Sequence, residues 1–181
     1  MDCTAILVAK TRDGNDRFYV KVALFRALVD GFPSAMARAT PHWLHEIDHT
    51  ADVGINVTAP DRNTLYERAA LGTFGVLTDL TTVEERMSKK VTVEASDPER
   101  LMVRWLSELN FLHTTKHLLF SRFDVEVSGP DDALTLRAAC HGEPIDRDRH
   151  PVYTEIKAVT YHDMKIQHHD NIWEVQVIFD L

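Results

Sequence analysis

His45-Glu46-Ile47-Asp48-His49-Thr50-Ala51-Asp52-Val53-Gly54-Ile55 is a polar knot between two apolar runs. Trp43, Leu44 and Ile47 form the first run. In the second, Val53, Ile55 and Val57 alternate with Gly54, Asn56 and Thr58, the period of two of a half-buried strand. Between them Asp48, His49, Thr50 and Asp52 crowd oxygen and nitrogen donors into a few positions. Junctions between strands carry chemistry well, because the strands hold them rigid while their side chains stay near solvent. A polar turn whose Asp and Thr bond their own backbone is the plainer account, and the stretch alone favours it.

Downstream the period changes. Asp61 is placed to cap a helix running to about Thr78, with Leu65, Ala69, Ala70, Phe74 and Leu77 in one apolar stripe. A strand follows, in which Val91 and Val93 alternate with Thr92 and Glu94. Ser96-Asp97-Pro98-Glu99 then starts a second helix. Either Ser96 caps it with Glu99 reaching back, or Asp97 caps it with Pro98 in the first turn. Leu101, Trp105, Leu109 and Leu112 share one side of this helix, with Met102 and Leu106 beside them. Both stripes read as core.

From Leu118 the chain reads as β-structure. Phe120, Phe123, Val125 and Val127 suggest a strand, Gly129-Pro130-Asp131-Asp132 a turn, and Leu134, Leu136 and Ala138 the returning strand of a hairpin. Gly142-Glu143-Pro144-Ile145-Asp146 is expected to leave that strand as a charged, irregular loop reaching Pro151. In Thr154 to Asp163, alternation puts Ile156, Ala158 and Thr160 on one face and Glu155, Lys157, Val159 and Tyr161 on the other. A lone strand lysine such as Lys157 is ordinarily solvated. His168-His169, before Asp170-Asn171, is expected in a hairpin turn.

Most chains end in a frayed polar tail. Here Trp173, Val175, Val177, Phe179 and Leu181 alternate to the last residue, so Asp180 stands beside the Leu181 α-carboxylate inside a strand pattern. No Lys or Arg is near in sequence. Two carboxylates this close repel and raise each other's pKa unless a cation joins them. The alternative is an edge strand fraying into water, with neither carboxylate engaged.

The 181 residues suit one domain able to bury a proper core, and 44% of them are hydrophobic. Net charge is −8; residues 1–35 hold five Lys/Arg and four Asp/Glu, leaving 15 basic against 24 acidic residues beyond them. An acidic body is a poor direct binder of nucleic acid and suits a cation or a basic protein partner. Cys3 and Cys140 form no metal or redox spacing, and a reduced cytoplasmic compartment is expected. No run of about 20 uncharged apolar residues is present, so no membrane span is expected. His45-Glu46-Ile47-Asp48-His49 has the spacing of a helix-borne zinc pair, but it stands between two strand-like runs rather than on a helix, and with His162, His168 and His169 offering no such pair this argues against a zinc hydrolase.

Residues 1–40 read differently. The apolar run from Phe18 to Val29 is interrupted by Lys21 and Arg26 and meets Gly31, Pro33 and Ser34. It lacks the clean apolar centre of a secretory signal. Residues 1–40 are therefore read as an N-terminal extension or as the product of a mis-assigned start, with Met36 the alternative beginning. Residues 41–181 are read as a single domain.

Together, four stretches carry a resemblance: His49-Thr50-Ala51-Asp52-Val53-Gly54, Gly142-Glu143-Pro144, Glu155 to Asp163, and the terminal Ile178-Phe179-Asp180-Leu181. In that order, and with Leu118-Leu119-Phe120-Ser121 and the helix around Trp105-Leu106, the chain from about Trp43 to Leu181 resembles the archease family. The resemblance implies an α+β fold related to strand-helix-strand-strand modules, with two main helices packed on a mixed or largely antiparallel sheet. It implies an accessory protein, not an enzyme, that promotes guanylylation of the tRNA-splicing RNA ligase by GTP and allows multiple turnovers. It implies a divalent-cation site, calcium in the family, on Asp52, Asp180 and the Leu181 terminus, and a functional lysine at Lys157.

The residues by themselves are compatible with that site. Asp52, Asp180 and a terminal carboxylate are hard oxygen donors, suited to Ca²⁺, Mg²⁺ or Mn²⁺. His49 and His162 are candidates for supporting positions around it. Two other functions stay open: a metal-dependent phosphoryl-transfer or hydrolytic enzyme using the carboxylates and Lys157 directly, and a chaperone or specificity modulator of a tRNA methyltransferase. The expected partner is the ligase, with any RNA contact indirect or transient.

Overall fold

A computed structural model describes residues 10–12, 18–20, 41–48 and 52–181; for residues 10–12, 18–20, 47, 48 and 52 only the backbone is described. The expectations for His49, Thr50 and Ala51, and for the run from residue 21 through Met36, lie outside the described residues. In chain order the elements are β1 (Lys10–Arg12), β2 (Phe18–Val20), β3 (Leu44–Asp48), β4 (Asp52–Ala59), α1 (Arg62–Leu77), a 3-10 turn (Leu80–Thr82), β5 (Met87–Ala95), α2 (Pro98–Lys116), β6 (Leu118–Ser128), β7 (Leu134–Pro144), β8 (Ala158–Val159), β9 (Ile166–His169) and β10 (Ile172–Asp180).

Cap chemistry sets both helix starts. Asp61 accepts the Thr64 amide at 2.9 Å, and Asp97 accepts the Arg100 amide at 2.7 Å with Pro98 opening α2. Of the two alternatives at Ser96-Asp97-Pro98-Glu99, the Asp97 cap is the one formed. Leu65, Ala69, Ala70, Phe74 and Leu77 of α1 are fully buried, as are Leu101, Trp105 and Leu109 of α2. The helices are tied where they meet: the Tyr66 hydroxyl donates to Pro98 O at 2.8 Å, and the Trp105 indole donates to Tyr66 O at 3.1 Å.

All described strand pairings are antiparallel. β1 pairs β2; β3, β4, β10 and β8 form one sheet in that order, with β9 also on β10; β5, β7 and β6 form another. The fold is thus α+β, with two helices packed on antiparallel sheets. α1 packs against β4, β10 and β6, and α2 against β5, β7, β6 and β8, so one apolar core joins the two larger sheets through the helices. No helix of the described residues is long and apolar enough to cross a membrane.

Three expectations need correction. β7 runs through Pro144, so Gly142 and Glu143 are strand residues and the irregular loop begins at Ile145. Ladder bonds to β6 hold this end: Leu118 is partnered with Pro144 and Leu119 with Glu143. His168 and His169 belong to β9, and the turn itself is Asp170-Asn171, both at positive φ (51° and 63°). A two-residue turn with both positions left-handed matches the twist of a tight hairpin, and Asp and Asn tolerate that conformation. His168 stacks on Trp173, ring centroids 4.6 Å apart.

The third correction concerns Thr154 to Asp163. Only Ala158–Val159 are strand, and alternation fails: Ile156 and Val159 are buried while Lys157 and Ala158 are exposed. The Ile156 carbonyl accepts the Asn110 side-chain amide at 2.8 Å.

Candidate functional site

β10 is an interior strand. It pairs β4 on one side and β9 and β8 on the other, and Val175, Val177 and Phe179 are fully buried. The fraying-edge alternative for the chain end is therefore excluded. Asp180, the last strand residue, stands opposite Asp52 across β4 and opposite Ala158 across β8. Directly opposed antiparallel residues have Cα atoms about 4.5–5.5 Å apart. The register thus brings Asp52, Asp180 and the adjoining Leu181 to one end of one sheet. Leu181 is half-buried against the core, and the Asp180 side chain is exposed.

Lys157 completes the group. Its backbone N–H donates to Asp180 O at 2.8 Å, and its Nζ donates to a terminal oxygen of Leu181. The sequence offers the two terminal carboxylates no cation nearby; the fold supplies one from 24 positions upstream. Lys157 is exposed, so this contact is screened by water and is worth about 0–1 kcal/mol to stability. Its value lies in placing an ammonium and a carboxylate in a fixed relation at the surface.

Asp180 and the Leu181 terminus present oxygen acceptors beside the Lys157 ammonium, and oxygen is the donor type that hard cations take. The described residues contain no group of three or more His, Cys, Asp or Glu side chains that could hold a metal. The Asp52 side chain is outside that description, and a chain-terminal carboxylate is not among those residue types. His49 lies outside the described residues. His162 is exposed, 3.3 Å from Asp163.

A second charged cluster escaped the sequence reading. Glu143 is 1% exposed yet carries a charge network. It accepts the Glu84 amide at 2.7 Å, Arg149 Nη2 at 2.5 Å and His150 Nε2 at 3.1 Å. His150 Nδ1 accepts the Asp146 amide at 2.9 Å, which leaves Nε2 to carry the proton it donates to Glu143. Burial pushes the Glu143 carboxyl up, but the Glu84 amide, Arg149 and His150 together outweigh it and hold the pKa at about 2. The network straps the 145–150 loop to the end of β7 and to the segment entering β5. The sequence marks Glu143 only as part of Gly142-Glu143-Pro144, and separations of six and seven residues carry no periodic signal that would join it to Arg149 and His150.

A family model described as the Archease protein family (MTH1598/TM1083) matches residues 45–181. Protein archease of Methanopyrus kandleri is 39% identical to this chain over 136 residues, covering 75% of this chain and 97% of that protein. Protein archease of Methanothermobacter thermautotrophicus is 39% identical over 134 residues, covering 74% and 95%. Among solved structures, the solution structure of Methanobacterium thermoautotrophicum protein 1598 matches with a TM-score of 0.69 at 37% identity, covering 77% of this chain and 99% of that one.

Proposed function

This chain belongs to the archease family, and from that premise we propose that it is a non-enzymatic accessory protein of the tRNA-splicing RNA ligase, acting in the cytoplasm to promote guanylylation of the ligase by GTP and its multiple turnover. The observation that carries the reading is the grouping of Lys157, Asp180 and Leu181 at the exposed end of β10, with Asp52 in register beside Asp180.

The group sits on a surface rather than in a substrate cavity. The cavity that Lys157 lines, between α2 and β8, measures about 290 Å³ and is shallow and open. Such a site suits contact with a protein better than enclosure of a nucleotide. The chain's net charge of −8 points the same way, since direct RNA binding wants a basic surface. The Lys157 ammonium has donors to spare after Leu181, and these can meet a phosphate of GTP or a carboxylate of the ligase. The Asp52, Asp180 and Leu181 carboxylates would hold a divalent cation, calcium by family resemblance or else Mg²⁺ or Mn²⁺. When bound, it would neutralise the carboxylates and fix the chain end.

The test is a multiple-turnover ligation assay with a cognate ligase, with guanylylation followed by labelled GTP. The protein should raise both turnover and the fraction of ligase guanylylated, and should consume no GTP alone. Unchanged ligation sinks the proposal, and GTP consumption by the protein alone would favour a metal-dependent enzyme.

A further inference from the structure

Asn110 is a polar side chain that lines the same cavity as Lys157 and has no part in the carboxylate group. It lies on α2 and is 8% exposed. Its Nδ2 donates to the Ile156 carbonyl at 2.8 Å. Only the NH₂ end of the amide can do this, so the orientation is fixed, and Oδ1 is buried without a partner among the described residues. A half-satisfied buried amide on a face otherwise filled by Leu106, Leu109 and His113 opposes stability, and so calls for another explanation.

We propose that Asn110 is the positioning residue of Lys157: its amide captures the Ile156 carbonyl, breaks the strand alternation there, and so holds the Lys157 ammonium on the Leu181 terminus.

The hydrogen bonds run in series. Register opposes Ala158 to Asp180, yet the Lys157 N–H, one residue early, donates to Asp180 O at 2.8 Å. Regular pairing resumes at Thr160, whose N–H donates to Ile178 O at 3.1 Å. The irregularity lies between the Asn110 bond and the β8 pairing, and it is what puts Lys157 and Ala158 both outside while Ile156 and Val159 are both inside. A strand that kept its alternation could not do this, because a one-residue shift exchanges every later side chain between faces. Ile156, fully buried, anchors the segment, and Asn110 fixes its carbonyl. Without that bond the carbonyl is free to turn, and the backbone that carries Lys157 loses its fixed relation to β10.

The link to ligase activation rests on the reading of Lys157 given above; the positioning itself does not. In the parent protein, NMR should show the Asn110 side-chain amide as two inequivalent protons protected from exchange, and the Lys157 backbone N–H should be protected too. In Asn110→Leu, of nearly equal volume but without a donor, Lys157 N–H exchange should rise at least about tenfold while the amides of Leu106 and Leu109 keep their protection. The Lys157 ammonium signal, assigned by its loss in Lys157→Ala, should move to the position of solvated lysines. Activation by Asn110→Leu should fall about 10–100-fold, toward that of Lys157→Ala.

An averaged, freely exchanging Asn110 amide in the parent overturns the proposal, and that measurement needs no variant to fold. So does an Asn110→Leu protein with an unchanged Lys157 signal, or one whose exchange rises uniformly, as for a merely structural core residue. If the Lys157 signals move as expected but Lys157→Ala activates fully, the positioning stands and the functional reading of Lys157 falls.

Discussion

Asp180 and Asp52 are direct partners across the β4–β10 ladder, so the second-last residue of the chain is fixed in register against the stretch that begins β4. A terminus placed like this is part of the sheet. If Asp52, Asp180 and the Leu181 carboxylate share a divalent cation, a C-terminal tag turns the last carboxylate into an amide and must leave through the site. Asp52→Ala removes another hard donor. Calorimetric Ca²⁺ and Mn²⁺ titration should show weaker binding for both, with depressed ligase activation, whereas a tag ahead of residue 36 should do neither. Parent-like binding and activation by both altered proteins would remove the metal reading.

Lys157→Ala separates function from folding. The side chain is exposed and its partner is the chain end, so thermal or urea unfolding should change by no more than about 1 kcal/mol. Activation of the ligase should be abolished. A variant that activates fully would make Lys157 an ordinary surface lysine.

Glu143 predicts a pH dependence of stability. Its folded pKa of about 2 lies below the ordinary 4.5, so the folded state binds this proton less readily than the unfolded one. The stabilisation is therefore present in full above about pH 4.5 and is lost as pH falls from there toward 2. Glu143→Gln should lower stability at pH 7 and flatten its dependence between pH 5 and 2. Urea titrations across that range measure both, and an equally steep acid loss in the variant would show that other carboxylates dominate.

Gly142 is required by close approach. A Cβ there would lie 1.8 Å from Leu119 O and 2.7 Å from Phe120 Cα, beside the irregularity between Phe120 and Arg122 in the β6–β7 ladder. Those atoms are backbone and cannot swing aside. Gly142→Ala should cost about 1–3 kcal/mol or more by urea unfolding. A loss within ~0.5 kcal/mol would mean that β6 shifts without penalty.

Much of this was legible locally. The cap at Asp61, the start of the second helix at Ser96-Asp97-Pro98-Glu99 (though not which of its first two residues caps it), the buried stripes of both helices and the alternation of β10 follow from contacts within a few residues, and these the sequence states directly. The motif residues Asp52, Lys157, Asp180 and Leu181 could likewise be named from the sequence through the family resemblance. What the sequence could not determine was their relation. That Lys157 reaches Leu181 depends on β10 being interior, on the β8 register, and on one carbonyl bonding Asn110. The burial of Glu143 depends on a loop folding back over the end of β7. Periodicity reports which face a residue takes only while a strand stays regular. A single side chain from another element can break that regularity, and only the assembled tertiary structure shows where it does.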